Sequence, residues 1–550
     1  MDGHHASTPQ ATDTSGSSSA SAPHPPDRLA RSAGLIGLAT AVSRVLGLAR
    51  DMVYAWLFGA GDQMDAFNVA FRMPNLVRDL FAEGAMTAAF VPTFTRHLTQ
   101  RGREAAWQLG NLVLSALVVV TSVVVVAGIL FAVPLTQLFA GEFAHVPGKL
   151  ELTVELTRIM FQFLTLVAVA VAFMGMLNSL RHFFVPALAP AMFNVGAIIG
   201  GVAIVPLMAR FGWHPAVGLA IGTLLGGFLQ AAVQWPRLRR EGFRFRFRLA
   251  PRDPGLQEVM LLMIPGTIGL AAVQINQFVN TVLATGEGTG AVSWLNYAFR
   301  LIYLPIGLFG VSIATAAVPA IAAMAARDDR AGTLQVVSRG LRLMLMLNVP
   351  ATVGLIALAS PIVALIFERG NFSPADTPAT AAALMFYAPG LVGYSIVKIA
   401  SPTFYALRDS RTPVAVSALS VGVNVALNLA LVRVLGYRGL ALGTAISALV
   451  NGVTLLWLLR GRLGGIDGPR LARSFVRILA ASLVMAATVV ATARGVAILW
   501  PMRGLLPHLV QVTASIAVGL LTLAASARAL RIEEFDEAFG TLAARFTRRR

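Results

Sequence analysis

The sequence predicts an all-α polytopic membrane protein: about 14 transmembrane helices, set as two six-helix lobes in a parallel repeat plus two C-terminal helices. Three observations predict it. The chain is 56% hydrophobic and only 13% charged across 550 residues, where soluble proteins carry about 25% charged residues. Apolar runs of about 20 residues, the length that crosses a hydrocarbon core, recur along almost the whole chain. Val113–Val133 is one, and Ile478–Ala493 is a shorter one. The basic residues, 44 Lys and Arg against 26 Asp and Glu, gather in alternate connections.

Hydropathy broken at polar turns places the spans near 30–58, 64–95, 107–139, 151–180, 184–209, 214–236, 256–285, 290–325, 333–367, 376–407, 412–434, 438–460, 470–495 and 505–528. With the N-terminus inside, the inside connections hold Arg96–Arg103, the run Arg237–Arg252, Arg327–Arg342, Arg460–Arg473 and Arg548–Arg550. That is about 29 basic residues inside against about 7 outside, the bias of the positive-inside rule. An even span count preserves the alternation, so both termini are expected in the cytoplasm. Residues 1–28, rich in Ser, Ala, Pro, His and Thr with no apolar core, read as a disordered cytoplasmic tail. Residues 531–550 read as a second cytoplasmic tail, with a short amphipathic helix from Glu533.

The charge also bears on partners. A net +18 could suit nucleic acid, and Arg244-Phe-Arg-Phe-Arg248 could stack on bases. That segment falls at the lipid boundary, however, where Arg and Phe both anchor well, so a membrane-lipid anchor is expected and nucleic acid is not. The chain has no cysteine, which excludes disulfides, thiolate metal sites and cysteine nucleophiles.

Two stretches of the chain repeat. Gly218-Leu-Ala-Ile-Gly-Thr223 recurs as Gly439-Leu-Ala-Leu-Gly-Thr444, Thr87-Ala-Ala-Phe-Val-Pro92 as Thr315-Ala-Ala-Val-Pro319, and Phe71-Arg72 as Phe299-Arg300. The offset of about 225 residues spans six helices. An even number of spans makes the copies parallel, a transporter design with the substrate path between the halves. The expected lobes are residues 29–240 and 241–465, with residues 466–530 outside the repeat.

Charge inside the spans is the chemical signal. An intramembrane charge costs about 2.5–3.5 kcal/mol on insertion scales, so it usually faces an interior cavity. Arg44, Arg50 and Asp51 fall in span one; Asp65, Arg72, Arg78, Asp79 and Glu83 in span two; Arg300 in span eight; Lys398 in span ten. Cations outnumber anions there, and an anionic ligand is expected. Arginine forks match phosphate geometry. Arg44 and Arg50 are six residues apart, about 120° around a regular helix, so they share a face only if the helix bends near Gly47. Pro74 offers a similar bend between Arg72 and Arg78. The alternative is that some of these arginines snorkel or sit in fixed ion pairs.

These residues carry a family resemblance. Ser43-Arg-Val-Leu-Gly-Leu-Ala-Arg-Asp51, Phe58-Gly-Ala-Gly61, Asp65-Ala-Phe67, Pro74-Asn-Leu-Val-Arg78, Ala82-Glu-Gly-Ala85 and Phe90-Val-Pro92 closely resemble the MurJ (MviN) lipid II flippases of the MOP exporter superfamily. The resemblance continues through Val292-Ser-Trp294, Val397-Lys398 and Arg411-Thr-Pro413, and covers about residues 30 to 530. It implies a transporter of the bacterial cytoplasmic (inner) membrane, not an enzyme. Such a protein alternates between inward- and outward-open states to carry undecaprenyl-diphosphate-linked GlcNAc–MurNAc-pentapeptide outward for peptidoglycan synthesis. By motif match, Arg44, Arg50, Arg78 and Arg300 would bind the headgroup with Asp51 beside them, and Asp65 would be a functional acidic position. Spans 13 and 14 would form a groove for the polyprenyl tail. The resemblance implies a monomer, placed beside the cell-wall synthesis machinery, with no cofactor.

Two departures stand out. Phe299 precedes Arg300 where many relatives carry an acidic residue. Some members also hold sodium between spans seven, eleven and twelve; the matching positions are Asn280, Asn424, Asn428, Thr444 and the carbonyl of Leu440. No carboxylate is among them, and a hard cation prefers charged oxygen, so polar cross-linking of the helices stands beside sodium binding. Coupling to Na+, to H+ or to the membrane potential stays open. Rival functions are another MOP-type exporter of a polyprenyl-linked oligosaccharide, an enzyme acting on polyprenyl phosphates, and a lipid II-binding scaffold. An enzyme needs a catalytic carboxylate or metal cluster in a sizeable loop, and the expected outer connections are short.

Overall fold

The computed structural model describes residues 25–80, 84–502 and 504–537. Glu83, Arg548–Arg550 and the expected N-terminal tail up to residue 24 lie outside the described residues. Every regular element among those described is helical, as lipid demands, because a helix satisfies its backbone polar groups internally.

The first set of passages runs α1 (Pro25–Phe58), α2 (Asp62–Arg78) with α3 (Gly84–Gln100), α4 (Gly102–Leu130) with short α5 (Ala132–Ala140), and α6 (Lys149–Met160) with α7 (Phe163–Ser179). It continues through α8 (Phe184–Ile199), a π-turn at Gly200–Ile204 and α9 (Val205–Met208), and closes with α10 (Pro215–Ala232) and α11 (Trp235–Arg240). The second set is α12 (Pro254–Thr285), α13 (Ala291–Pro305) and α14 (Val311–Ala325) joined by a π-turn at Ile306–Gly310, and α15 (Arg330–Ala357) with α16 (Ala359–Phe367). It ends with α17 (Asp376–Tyr387) and α18 (Gly390–Ala406), then α19 (Arg411–Leu435) and α20 (Tyr437–Leu463). Last come α21 (Gly468–Leu499) and α22 (Leu505–Ala529).

Among the described residues nine helical segments are long and apolar enough to cross a membrane, and α17 with α18, bent by 41°, makes a tenth. The remaining passages are α1, α2 with α3, α12, and α13 with α14. These contribute most of the polar lining of the central cavity, so they are the ones diluted by charge and amide.

Two expected spans, 107–139 and 333–367, are each broken near the end. The break falls at Phe131 (φ −95°, ψ 17°) and at Leu358 (φ −108°, ψ 17°). The reason is shared. Pro134 and Pro361 each lack an N–H and would clash with the carbonyl four residues back, which is the last residue of α4 or of α15. The repeat is thus visible in backbone defects as well as in motifs. The π-type turn at Asp79–Leu80 and that at Ile306–Gly310 keep the same offset of about 225 residues.

The repeated Gly-x-x-x-Gly motif has a packing role in both sets. On α10, Gly218, Gly222 and Gly226 meet Val205, Gly200 and the Phe193 carbonyl so closely that a Cβ on Gly222 would fall 2.6 Å from Gly200 Cα. On α20, a Cβ on Gly439 would fall 2.4 Å from the Leu431 carbonyl of α19. Small residues let backbones approach where no hydrophobic effect drives helices together. Helices α21 and α22 pack on each other, with α21 also against α15 and α22 against α16. The residues after α22 return to α15 and α21: Glu534 accepts from Ser474 Oγ at 2.9 Å and lies 3.5 Å from Arg342 Nε, while Glu533 pairs with Arg470 at 2.8 Å.

The Arg-Phe segment lies along α4. Phe243 is buried against Trp107 and Trp235. Asn111 Oδ1 accepts from Arg246 N at 2.9 Å and Ser115 Oγ from Arg248 N at 3.0 Å. Phe245 and Phe247 remain exposed beside their arginines.

Candidate functional site

A cavity of about 360 Å³ lies between the two sets of helices, lined by α1, α2, α8, α10, α12 and α13. Asp51 is its electrostatic centre. Its Oδ1 accepts from Arg50 Nε at 3.0 Å and Nη2 at 2.7 Å. Arg300 Nε, from the other set, lies 2.7 Å from Asp51 Oδ2. That oxygen has no aligned hydrogen bond, so the contact is an ion pair only. One carboxylate therefore bridges arginines of both halves. Arg50 is held further by Asn194 Oδ1 at 3.2 Å and by the rings of Tyr54 and Phe193, each 5.7 Å from its guanidinium carbon. It is 8% exposed.

Arg72 and Arg78 line the same cavity. Arg72 Nη1 donates to Gln277 Oε1 at 3.3 Å, and Arg78 Nη2 to Asp79 Oδ1 at 2.7 Å. Four arginines and two aspartates line the cavity, a formal excess of two positive charges. Phe299, directly before Arg300, packs on Tyr303 and Tyr387 at 5.0 and 5.1 Å between ring centres.

Two expected cations stand elsewhere. Helix α1 runs unbroken through Gly47, where a Cβ would make ordinary contact with the Asn194 side chain at 3.6 Å. Arg44 consequently reaches a different place, the second π-turn: a Cβ on Gly307 would fall 0.9 Å from Arg44 Nη1. Lys398, on α18, is exposed and is not among the cavity's lining residues.

Asp65 lies at the end of the bundle away from the arginine-rich connections and is fully buried. It accepts four hydrogen bonds: Lys149 Nζ at 3.0 Å and Gly290 N at 2.7 Å on Oδ2, Ser293 N at 3.0 Å and Ser293 Oγ at 2.7 Å on Oδ1. Lys149 also pairs with Asp62 at 2.8 Å. Tyr297 OH donates to the Gly59 carbonyl at 3.0 Å and Asn371 N to the Trp56 carbonyl at 3.0 Å. The backbones meet through left-handed glycines: Gly290 (φ 92°) would place a Cβ 2.6 Å from the Ala60 carbonyl. The loop 368–376 is part of the seal through that Asn371 contact. The cavity is thus shut at this end.

The positions matched to a sodium site do come together. Asn428 Nδ2 donates to Asn280 Oδ1 at 2.6 Å and to Asn424 Oδ1 at 3.1 Å. Asn424 Nδ2 donates to Thr444 Oγ1 at 3.4 Å, and Thr444 Oγ1 to the Leu440 carbonyl at 2.8 Å.

Sequence reasoning missed Lys149, Asn194, Gln277 and Ser293. Lys149 carried a readable signal, since it is one of two lysines in a chain that otherwise uses arginine. The others carried only polarity within apolar runs.

Two related helix sets around a cationic cavity, sealed at one end by a buried carboxylate, define a multi-pass membrane transporter built for an anionic ligand. The chain belongs to the MurJ family: the profile described as "Lipid II flippase MurJ" matches residues 54–510. It is 35% identical over 431 residues to a probable lipid II flippase MurJ of Vibrio cholerae, covering 77% of this chain and 81% of that one. It is likewise 35% identical over 458 residues to the lipid II flippase MurJ of Burkholderia cenocepacia, covering 81% and 87%. A solved structure described as lipid II flippase MurJ in an inward closed conformation superposes with a TM-score of 0.74 at 25% identity, covering 90% of this chain and 99% of that one. An inward-facing MATE family transporter of the MOP superfamily, 17% identical with a TM-score of 0.64 over 78% of this chain and 96% of its own, shares the fold.

Proposed function

We propose that this chain translocates lipid II from the cytoplasmic to the outer leaflet by alternating access. The observation that carries the reading is the cavity's excess of two positive charges, arranged around Asp51 by arginines from both halves. A diphosphate brings the matching negative charge, and guanidinium forks suit its oxygens. Arg50, Arg78 and Arg300 hold the diphosphate, with Arg72 at the rim towards α12. Arg44 acts at the π-turn, where it couples α1 to the bend of the second set. Asp65 closes the outer gate. Lys398 takes no part in the headgroup site.

The arginine-rich end faces the cytoplasm, in line with the positive-inside bias, and both termini lie there. The sealed end then faces outward. Helices α21 and α22, apolar and apart from the repeat, offer the polyprenyl tail its groove.

The test is depletion of the protein in its native cell with lipid II accessibility measured on the outer leaflet. Externalisation should fall as the protein is lost. Undiminished externalisation would overturn the reading.

A further inference from the structure

The amide cluster between α12, α19 and α20 differs chemically from a cation site. In a cation site the oxygens converge on a centre and their donors point away. Here the centre holds a donor: Asn428 Nδ2 sits between Asn280 Oδ1 at 2.6 Å and Asn424 Oδ1 at 3.1 Å and uses both protons on them. The remaining two oxygens are engaged in turn, Thr444 Oγ1 by Asn424 Nδ2 and the Leu440 carbonyl by Thr444 Oγ1. Turning the Asn428 amide over would face its oxygen on two others with no proton between them.

The orientation has left its mark on the neighbouring helix. Asn428 Oδ1 is buried without a hydrogen-bond partner and points at Gly443, where a Cβ would fall 2.0 Å from it. Only glycine leaves that room. Charge points the same way. The cluster is neutral, with Asn424 and Asn428 almost wholly buried. An adjoining cavity of about 120 Å³ is lined by Asn280, Thr444 and Arg72 together, so a full positive charge borders the same space as the cluster. Arg72 is partnered there by a neutral amide, Gln277. A bare cation would meet repulsion with no carboxylate to offset it.

We propose that the Asn428 amide is a built-in substitute for the cation. Its two N–H groups bind from within the oxygens that an ion would draw together, latching α12, α19 and α20 without an ion. This latch is indifferent to Na+ and to its gradient. The inference rests on family membership and on this geometry, not on the translocation reading.

The test uses the purified full chain and its thermal midpoint in chloride salts of Na+, K+ and choline at matched ionic strength. The wild type should melt at one temperature in all three. In Asn280→Asp/Asn428→Asp two carboxylates replace the donor–acceptor contact and repel each other, so the midpoint should drop in choline and recover saturably in Na+. Asn280→Asp alone keeps the Asn428 donor and should show no Na+ response. Asn428→Leu should lower the midpoint equally in all three salts, which holds the proposal to account even if the double variant does not fold. A saturable, Na+-specific rise in the wild type that Asn428→Leu abolishes would overturn the proposal. So would a folded double variant blind to Na+, or an Asn428→Leu protein as stable as the parent. None of these readouts involves lipid II, so the flippase reading stands or falls separately.

Discussion

Replacing Asp65 by Asn should unseal the closed end of the cavity. Oδ1 receives two donors from Ser293, and Oδ2 receives Lys149 and Gly290 N. An amide must turn its own N–H groups towards one of those pairs, whichever way it flips. The Lys149 side chain, 2% exposed, would keep only Asp62, whose side chain is 41% exposed. Breaking a buried ion pair from one side costs about 3–5 kcal/mol; with Asp62 retained, about 3 kcal/mol is the appropriate end. Lys149 belongs to the same helix set as Asp65, so the ion-pair loss is common to shut and open states. Only the bonds from Gly290 and Ser293 cross the seal, and losing one pair of them, about 1.5–3 kcal/mol for bonds to a charged group, shifts the shut-to-open ratio by about 10- to 100-fold. The chain has no cysteine, so a single cysteine at Asn296, which lines the cavity, can report the change. A membrane-impermeant thiol reagent applied from the sealed side should label it faster in Asp65→Asn by up to that factor. Labelling within about threefold of the parent would refute the reasoning.

Other consequences are as open to measurement. Arg50→Lys keeps the charge but loses the fork on Asp51, a loss of about 1.5–3 kcal/mol in charge-assisted bonding; complementation should fail while membrane levels hold. Gly307→Ala must expel the Arg44 guanidinium, so its activity should match that of Arg44→Ala, and combining the two should add no further loss. Glu534→Gln keeps the acceptor for Ser474 but leaves Arg342 unpaired, and a thermal melt should show destabilisation of about 1–3 kcal/mol.

Much of the helical layout could be read directly, because a span must be apolar for its whole length and the breaks are polar. Pro134 and Pro361 were the exceptions: hydropathy runs on across them while the backbone cannot. The repeat was visible in its glycines, whose close contacts the structure supplies. Helix α1 is continuous at Gly47, and its two arginines, six residues apart, point to different places. Arg44 therefore travels to the π-turn while Arg50 stays in the cavity. The partners of Asp65 come from two distant segments, at Lys149 and at Gly290–Ser293, and no local pattern joins them. At Asn428 the sequence named the residue, but the direction of its hydrogen bonds exists only once three helices have met.

Asp51 has a consequence for the idle protein. With no cargo aboard, a chamber lined by arginine would be a trap for any stray anion, and closing it around nothing would compress like charges. On the proposed cycle, the carboxylate already seated between Arg50 and Arg300 would act as a dummy load, keeping the two halves attracted to each other while unladen, and a cargo would have to displace it to be carried. Selectivity then begins before any contact with the rest of the substrate, because an anion with a single charge gains little by displacing one that is tethered in place.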